Sequence, residues 1–275
     1  MASGGAAAGA AAAGACYAAA QAAAKAAKRA IRVAGVVDDY QLVYAPPNKL
    51  TICEAFCLLW QDDATGDLSG RRSDPTVQGP ALAAMLTDLI LMGKLKVQSE
   101  DGKDWLGYTK ENARIITGDV ETPLPAAAAF LADFLKIFTD YNAQKPPRTL
   151  EKWVQELVMG WSHNAVAYID FVLNSLLEKG IVRKESVWNG KRFPTDDPTA
   201  EAAVREKLKT VLLSGTEPDM FTTVLIQLSV TADQQCVFTN PFMRSVLSKE
   251  EYAQVQPRLK ELKENLDMPL NIEAE

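Results

Sequence analysis

Long apolar runs and excess positive charge are both missing from this chain of 275 residues. No stretch reaches the roughly 18 to 20 uninterrupted apolar residues that a membrane-spanning helix requires. The formal net charge is -6 and the pI is about 5.1, which argues against a dedicated nucleic-acid-binding protein, because phosphate neutralisation needs a basic face. We therefore expect any membrane contact to be peripheral and any cationic site to be local.

Residue patterns that carry common enzyme chemistry are absent as well. The chain has one histidine, His163, just before a predicted helix, where a capping or packing role is typical. It has no Gly-rich phosphate loop, no Gly-x-Ser-x-Gly turn and no His-Glu-x-x-His pair. The acidic pairs Asp62/Asp63 and Asp196/Asp197 fall on predicted turns, where capping explains them. We predict no enzyme activity, no cofactor and no metal site.

Cysteines are few and scattered, at Cys16, Cys53, Cys57 and Cys236. Cys53 and Cys57 stand four apart in a helical pattern, which suits buried apolar positions better than a metal pair. A reducing, cytosol-facing compartment is the expected setting.

The N-terminal segment, residues 1–37, differs in composition from the remainder. It is rich in alanine with interspersed glycine, and no acid occurs before Asp38. Its basic residues lie towards its end, at Lys25, Lys28, Arg29 and Arg32. This composition predicts a disordered or loosely helical tail, with an organelle transit peptide as the alternative. Residues 38–275 are predicted to form one domain.

Apolar spacing predicts most of the domain to be helical. "LTICEAFCLLWQ" has a capping box at Thr51 and Glu54, and "PALAAMLTDLILMG" is expected to begin at Pro80 and stop at Gly93. The segment 62–76 between them reads as a polar loop. "KLKVQSEDGKDWLGYT" then predicts a hairpin around "SEDG".

Further helices follow. "LPAAAAFLADFLKIFTDY" and "TLEKWVQELVMG" are separated by the breaker "KPP". The next helix has an apolar stripe that indicates a core position, formed by Val166, Ile169, Val172, Leu173, Leu176 and Leu177. A helix capped by Asp197 is expected to run from Pro198 to about Leu213, followed by "PDMFTTVLIQLSV". A last helix has a capping box at Ser248 and Glu251, and an apolar face made of Tyr252, Val255, Leu259, Leu262 and Leu266. The predicted fold is mainly α: a single helical domain with a core helix bundle and one or two β-hairpins.

One segment concentrates positive charge in this acidic chain. "GIVRKESVWNGKRFPTDDP", residues 180–198, predicts a β-hairpin because "NG" at 189 and 190 favours a tight turn. Its expected exposed residues are Arg183, Lys184, Trp188, Lys191 and Arg192. A cationic ribbon with an aromatic residue at its tip suits a partner that is negatively charged and partly apolar.

Several stretches in series resemble the Golgi phosphoprotein 3 family. They are "LTICEAFCLL", "LILMGKLKV", "KPPRTLEKWVQEL", "VLNSLLEKGIV", "FPTDDPT" and "EPDMFTTVLIQLSV", in the family's order and spacing over roughly residues 50 to 266. The resemblance implies a helical domain with a projecting hairpin, located peripherally on the cytosolic face of the Golgi membrane with a cytosolic pool. It also implies binding to phosphatidylinositol 4-phosphate and a role as an adaptor in vesicle sorting.

The same resemblance implies partners. They are Golgi glycosyltransferase tails and coatomer, the latter through the basic residues of the N-terminal tail. The hairpin at 180–198 would serve membrane contact and homo-oligomer formation, with its Arg and Lys side chains facing anionic headgroups and Trp188 at the interface.

The family's headgroup pocket is altered here. Aligned with the resemblance, its four positions hold uncharged residues, namely Ser73, Leu82, Val166 and Ile169. Uncharged side chains cannot neutralise a phosphomonoester. Arg71 and Arg72 in the preceding loop are the candidate substitutes.

Two other classes of function stay open at this point. Helix, loop, helix and hairpin over residues 50–109 also describe a winged-helix-like nucleic-acid or protein-interaction module without lipid binding. A lipid- or sugar-modifying enzyme is the third reading, and the absence of a catalytic constellation disfavours it.

Overall fold

The computed structural model describes residues 50–61, 75–98, 114–144, 148–149, 152–153, 156, 165–188, 190–216, 218–235 and 242–265. These residues are mostly helical and include two small antiparallel sheets. The α-helices are α1 (Ile52–Trp60), α2 (Pro75–Leu91), α3 (Ala132–Gln144), α4 (Ala165–Glu178), α5 (Thr199–Ser214), α6 (Met220–Gln235), α7 (Phe242–Val246) and α8 (Lys249–Asn265). The strands are β1 (Leu95–Gln98), β2 (Arg114–Thr117), β3 (Arg148–Thr149), β4 (Glu185–Val187) and β5 (Gly190–Arg192), and a 3-10 helix, Ala126–Leu131, precedes α3.

Helix α1 is the central element of the core. Every one of its residues is buried, and it contacts α2, α4, α5, α6 and α7. A helix that is covered on all sides needs apolar residues around its full circumference, as this sequence provides. The predicted capping box is confirmed, since the Thr51 N–H donates to Glu54 Oε2 at 2.9 Å and the Glu54 N–H donates to Thr51 Oγ1 at 3.3 Å.

Helix α2 packs its middle against α1, α4 and α6. It begins at Pro75, so the predicted start at Pro80 is wrong. Pro75 occupies the first helical position, where a missing N–H removes no hydrogen bond, and Pro80 lies inside the helix. The predicted stop is confirmed by Gly93, which has a left-handed φ of 71°.

The predicted hairpin after α2 has its first strand in the expected place and a different partner. Strand β1 pairs with β2, with Leu95 opposite Thr117 and Gln98 opposite Arg114, and β2 then pairs with β3. The β-branched sequence "RIIT" of β2 suits a half-buried strand better than the segment close to "SEDG". Leu95 and Ile115 are both buried, so this sheet covers one part of the core.

Helices α4, α5 and α8 agree closely with the sequence, whereas α7 was not predicted and the predicted helix "TLEKWVQELVMG" lies mostly outside the described residues. In α4 the stripe is buried at Ile169, Val172, Leu173 and Leu176, and Leu177 is partly buried. Helix α5 begins at Thr199, one residue later than predicted, with Asp197 Oδ1 accepting from the Thr199 N–H at 2.9 Å. The capping box of α8 is confirmed, and Val255 and Leu259 are buried on its apolar face. Cys53 and Cys57 are free and buried, as expected of structural cysteines.

Candidate membrane-binding hairpin

The predicted hairpin at residues 180–198 is confirmed. Glu185 pairs with Arg192, Ser186 with Lys191 and Val187 with Gly190, so the chain reverses between Val187 and Gly190. Gly190 thus belongs to the second strand, and Trp188 takes a position in the loop itself.

Buried residues hold the base of the hairpin in the domain. Ile181 and Phe193 are buried, and Phe193 O accepts a hydrogen bond from the side-chain amide of Gln61 at the end of α1. Gly180, with a φ of 69°, ends α4, and the Ile181 N–H donates back to Leu176 O at 3.0 Å. The hairpin therefore projects from a fixed base, which also includes the bridge between residues 182 and 195.

Trp188 is the most exposed large apolar side chain of the described residues, at 97% of its full accessibility. The other described tryptophans, Trp60 and Trp153, are 1% and 3% exposed. Burial of an aromatic side chain removes 150 to 250 Å² from water, worth roughly 4 to 6 kcal/mol at 25 cal/mol per Å². Trp188 gains none of this free energy in the isolated domain, so its exposure is typical of a residue that contacts a partner surface.

The basic residues of the hairpin divide between its two sides. Lys191 lies opposite Ser186 and is exposed, and Lys184, two residues before Ser186, is exposed on the same side. Arg183 lies on the other side together with Glu185 and the partly buried Arg192. The lysines therefore form one cationic face, which we call the lysine face and define by Lys184, Ser186 and Lys191.

Arg183 is engaged within the base of the hairpin. Its Nε donates to Glu185 Oε1 at 3.0 Å, and one terminal nitrogen contacts Asp196 Oδ1 at 3.4 Å and Thr195 O at 3.3 Å. The hydrogen bond to Glu185 raises the pKa of Arg183 above its ordinary value. Arg183 is thus a structural cation of the hairpin, and the lysine face supplies its available positive charge.

The positions that the resemblance assigns to a headgroup pocket are closed to solvent where they are described. Leu82 on α2 and Ile169 on α4 have no solvent exposure and belong to the main core. Ser73 and the side chain of Val166 lie outside the described residues. Leu82 and Ile169 therefore provide apolar packing between helices, with neither charge nor access for a phosphate.

A second polar cluster lies in the core, at the N-terminus of α1. Glu54 accepts from Ser175 Oγ at 2.7 Å and from Lys179 Nζ at 2.6 and 2.7 Å, and Lys179 also donates to Ala127 O at 3.1 Å. All these groups are paired; Glu54 and Ser175 are buried, and the Lys179 side chain is 19% exposed. The capping-box pattern predicts a role for Glu54, but no local pattern predicts that Ser175 and Lys179, near the end of α4, contact it.

Asp88 completes this cluster from α2. Its two carboxylate oxygens accept from the Ile52 and Cys53 N–H groups at 3.0 and 2.9 Å, so it caps α1 from another helix. Burial raises the pKa of Asp88 to about 7, and the hydrogen bonds from Cys53 and Ile52 oppose that rise. Burial also raises the pKa of the Cys53 and Cys57 thiols, which keeps them protonated and unreactive.

Several predicted site residues fall outside the described part of the chain. They are Arg71, Arg72, His163 and the tail residues Lys25, Lys28, Arg29 and Arg32. Within the described ranges no group of three or more His, Cys, Asp or Glu side chains is arranged to hold a metal ion. In the same ranges, none of the helices combines the length and apolarity that crossing a bilayer demands.

Comparison with known proteins gives one family. The model of the family described as Golgi phosphoprotein 3 (GPP34) matches residues 52–272, which is most of the chain. A comparison with curated proteins finds no match.

Proposed function

Since the chain belongs to the Golgi phosphoprotein 3 (GPP34) family, we propose that it is a peripheral membrane adaptor of the Golgi whose hairpin binds anionic, phosphoinositide-containing membranes on the cytosolic face. The observation that carries this proposal is the isolated exposure of Trp188 at the end of a cationic ribbon. An indole ring has an apolar body and a polar edge, and it partitions to the headgroup level of a bilayer.

The charges of the hairpin support the same contact. Lys184 and Lys191 are exposed on the lysine face. Arg192 is partly buried and lies on the opposite face of the hairpin. Each Lys or Arg near an anionic leaflet contributes about 1 kcal/mol of attraction. Together with the tryptophan, the hairpin provides an affinity that is moderate and reversible, which suits a protein with a cytosolic pool.

Headgroup selection by this chain must differ from that of the family pocket. Leu82 and Ile169 are buried apolar residues, so they offer no hydrogen bonds to phosphatidylinositol 4-phosphate. Selectivity for that lipid would come from cations elsewhere, and Arg71 and Arg72, next to α2 in sequence, remain the proposed phosphate ligands. Without them, the chain would bind anionic membranes by charge density.

The adaptor part of the proposal concerns proteins held at the membrane. We propose that the domain retains Golgi membrane enzymes by binding the tails of glycosyltransferases. The N-terminal residues Lys25, Lys28, Arg29 and Arg32 would contact coatomer. A homo-oligomer through the hairpin is the third proposed contact.

Vesicle flotation tests the membrane function. The variant Lys184→Glu/Lys191→Glu/Arg192→Glu reverses the charge of the ribbon, and a control variant reverses three exposed lysines on other elements, Lys136, Lys152 and Lys249. We expect the control to float with phosphatidylserine vesicles like the wild type, and the hairpin variant to stay in solution. Wild-type binding should weaken as salt rises, because exposed charges are screened over about 8 to 10 Å.

Two further comparisons test lipid selectivity and the place of the membrane site. Vesicles in which phosphatidylinositol 4-phosphate replaces phosphatidylserine at equal charge test selectivity, and Arg71→Ala/Arg72→Ala should abolish any preference. Equal binding of wild type and hairpin variant to all vesicles would refute the hairpin as the membrane site.

The winged-helix alternative has less support from the fold. Its recognition helix would be α2, which is buried from residue 79 to residue 89 and presents no helix face there for a DNA groove. Its wing would be a local hairpin, but the partner of β1 is the more distant β2. A DNA titration run beside the flotation assay separates the two functions.

A further inference from the structure

Ser186 lies at the centre of the lysine face. It is exposed, directly opposite Lys191 and two residues from Lys184. Side chains directly opposite each other on paired strands have Cβ atoms about 4.5 to 5.5 Å apart. Its hydroxyl has no hydrogen-bond partner among the described residues. A change of charge at this atom therefore acts on both lysines of the membrane-binding face.

Four other serines of the described ranges are less available than Ser186. Some are buried in the core and others are held in turns or caps, as for Ser175, Ser229, Ser214 and Ser248. Ser186 lies on an extended strand of a two-stranded sheet, so one edge of β4 carries no neighbouring strand of that sheet. An enzyme that reads an extended segment has access to this edge.

We propose that Ser186 is a phosphorylation site and that its modification lowers the affinity of the hairpin for anionic membranes. This inference rests on the proposed membrane function. The segment Arg183-Lys184-Glu185-Ser186 places a guanidinium three residues before the hydroxyl. Protein kinases select substrates by such charge patterns, and the basic residues here fit a kinase with an acidic substrate groove.

The reaction is phosphoryl transfer from ATP, supplied by the kinase. The Ser186 hydroxyl oxygen attacks the γ-phosphorus, and the bond between that phosphorus and the β-γ bridging oxygen breaks. ADP leaves with the electron pair, and the serine proton passes to the catalytic base of the kinase. The product is phosphoserine and ADP, with no change of oxidation state.

The electrostatic effect follows from the charges of residues 183–192. Four cations and one acid, Glu185, give 4 - 1 = +3 for this segment. A phosphate adds about -1.5 to -2 near neutral pH, which cancels most of the charge of Lys184 and Lys191. With about 1 kcal/mol per basic residue at an anionic surface and 1.4 kcal/mol per tenfold, the loss of two charges weakens binding by about 30-fold.

The test uses the full chain and a Ser/Thr kinase that requires arginine three residues before its target. After incubation with Mg-ATP, peptide mapping by mass spectrometry locates the phosphate, and flotation with phosphatidylcholine vesicles containing phosphatidylserine measures binding. We expect phosphate at residue 186, vesicle binding about 30-fold weaker and a shallower salt dependence. The Ser186→Ala variant should bind like the unmodified wild type before and after kinase treatment.

A second comparison does not depend on the kinase. Ser186→Glu adds one negative charge to the lysine face, and Gln254→Glu adds the same charge to an exposed position of α8. The first variant should weaken binding and the second should leave it unchanged, with both thermal midpoints close to the wild type.

The outcomes separate the two proposals. Unmodified protein that binds no anionic vesicle refutes the membrane function and the switch with it. Protein that binds vesicles equally well with and without phosphate at Ser186 overturns the switch alone, and so does a chain that takes up no phosphate at this residue.

Discussion

The ion pair between Lys179 and Glu54 gives the most direct test of how the core is held together. Lys179 Nζ lies 2.6 and 2.7 Å from the two carboxylate oxygens of Glu54, which has no solvent exposure. The Lys179→Met variant keeps the length of the apolar stem and removes the charge. It therefore leaves a buried carboxylate without its counterion.

The magnitude follows from this burial. Loss of one partner of a buried ion pair costs about 3 to 5 kcal/mol. We expect a value near 3 kcal/mol, because Ser175 and the Thr51 N–H continue to hydrogen-bond the carboxylate. That is a large part of the 5 to 15 kcal/mol by which domains are stable, and it corresponds to roughly 6 to 12 °C in the unfolding temperature.

Urea unfolding followed by circular dichroism measures this loss. Lys136→Met is the matched control, since Lys136 is exposed on α3 and should change the free energy of unfolding by less than about 0.5 kcal/mol. Adding Glu54→Gln to Lys179→Met neutralises the stranded charge and should recover part of the stability. A loss below about 1 kcal/mol in Lys179→Met, or no recovery in the double variant, would refute the buried pair.

Three further predictions concern other positions. Burial raises the pKa of Asp88 to about 7, so between about pH 4 and pH 7 the native state keeps a proton that the unfolded chain releases. The contribution of Asp88 to the free energy of unfolding therefore falls as pH rises through this range. Asp88→Asn should remove this pH dependence in urea titrations at several pH values. Gly118→Ala should destabilise the domain by more than about 1 kcal/mol in thermal unfolding, since the added Cβ would lie 2.2 Å from Gly93 O and backbone must move. Trp188→Ala should change the free energy of unfolding by less than about 0.5 kcal/mol, whereas Trp60→Ala in the core should cost about 3 to 5 kcal/mol, and equal losses would contradict the exposure of the hairpin tip.

Local signals in the sequence predicted the elements whose cause is local. The capping boxes at Thr51 and Ser248 could be predicted because their reciprocal hydrogen bonds span only three residues. The hairpin at 180–198 could be predicted because the turn-forming pair "NG" lies between two short strand-like segments. In each case the residues that give the signal lie within the element or next to it in sequence.

Non-local features were the ones missed. Strand β2 pairs with β1 across residues 99–113, and a turn signal near "SEDG" suggested a closer partner. Asp88 caps α1 through hydrogen bonds to Ile52 and Cys53, which lie 36 and 35 positions before it in the sequence. The contact of Lys179 with Glu54 spans 125 positions. Periodicity shows which face of a helix is buried but does not show which polar groups meet inside the core.

The candidate site divides in the same way. The cationic character of the hairpin and the place of its tryptophan could be read directly. Its division into a lysine face and an ion-paired arginine depends on strand register and on Asp196, a residue beyond the hairpin strands. The burial of Leu82 and Ile169 in the core depends on helix packing, which the sequence alone does not give.

The contact between Glu54 and Lys179 also has a consequence for where the chain enters the domain. Lys179 directly precedes Gly180, at which the hairpin segment begins, and Thr51 precedes α1 at the other end of the same cluster. The start of α1 and the base of the hairpin are therefore held together by one ion pair. Under the proposed function, a protein bound by the N-terminal tail would gain a high effective concentration at the membrane that the hairpin contacts. Two individually weak attachments, one to lipid and one to protein, would then reinforce each other.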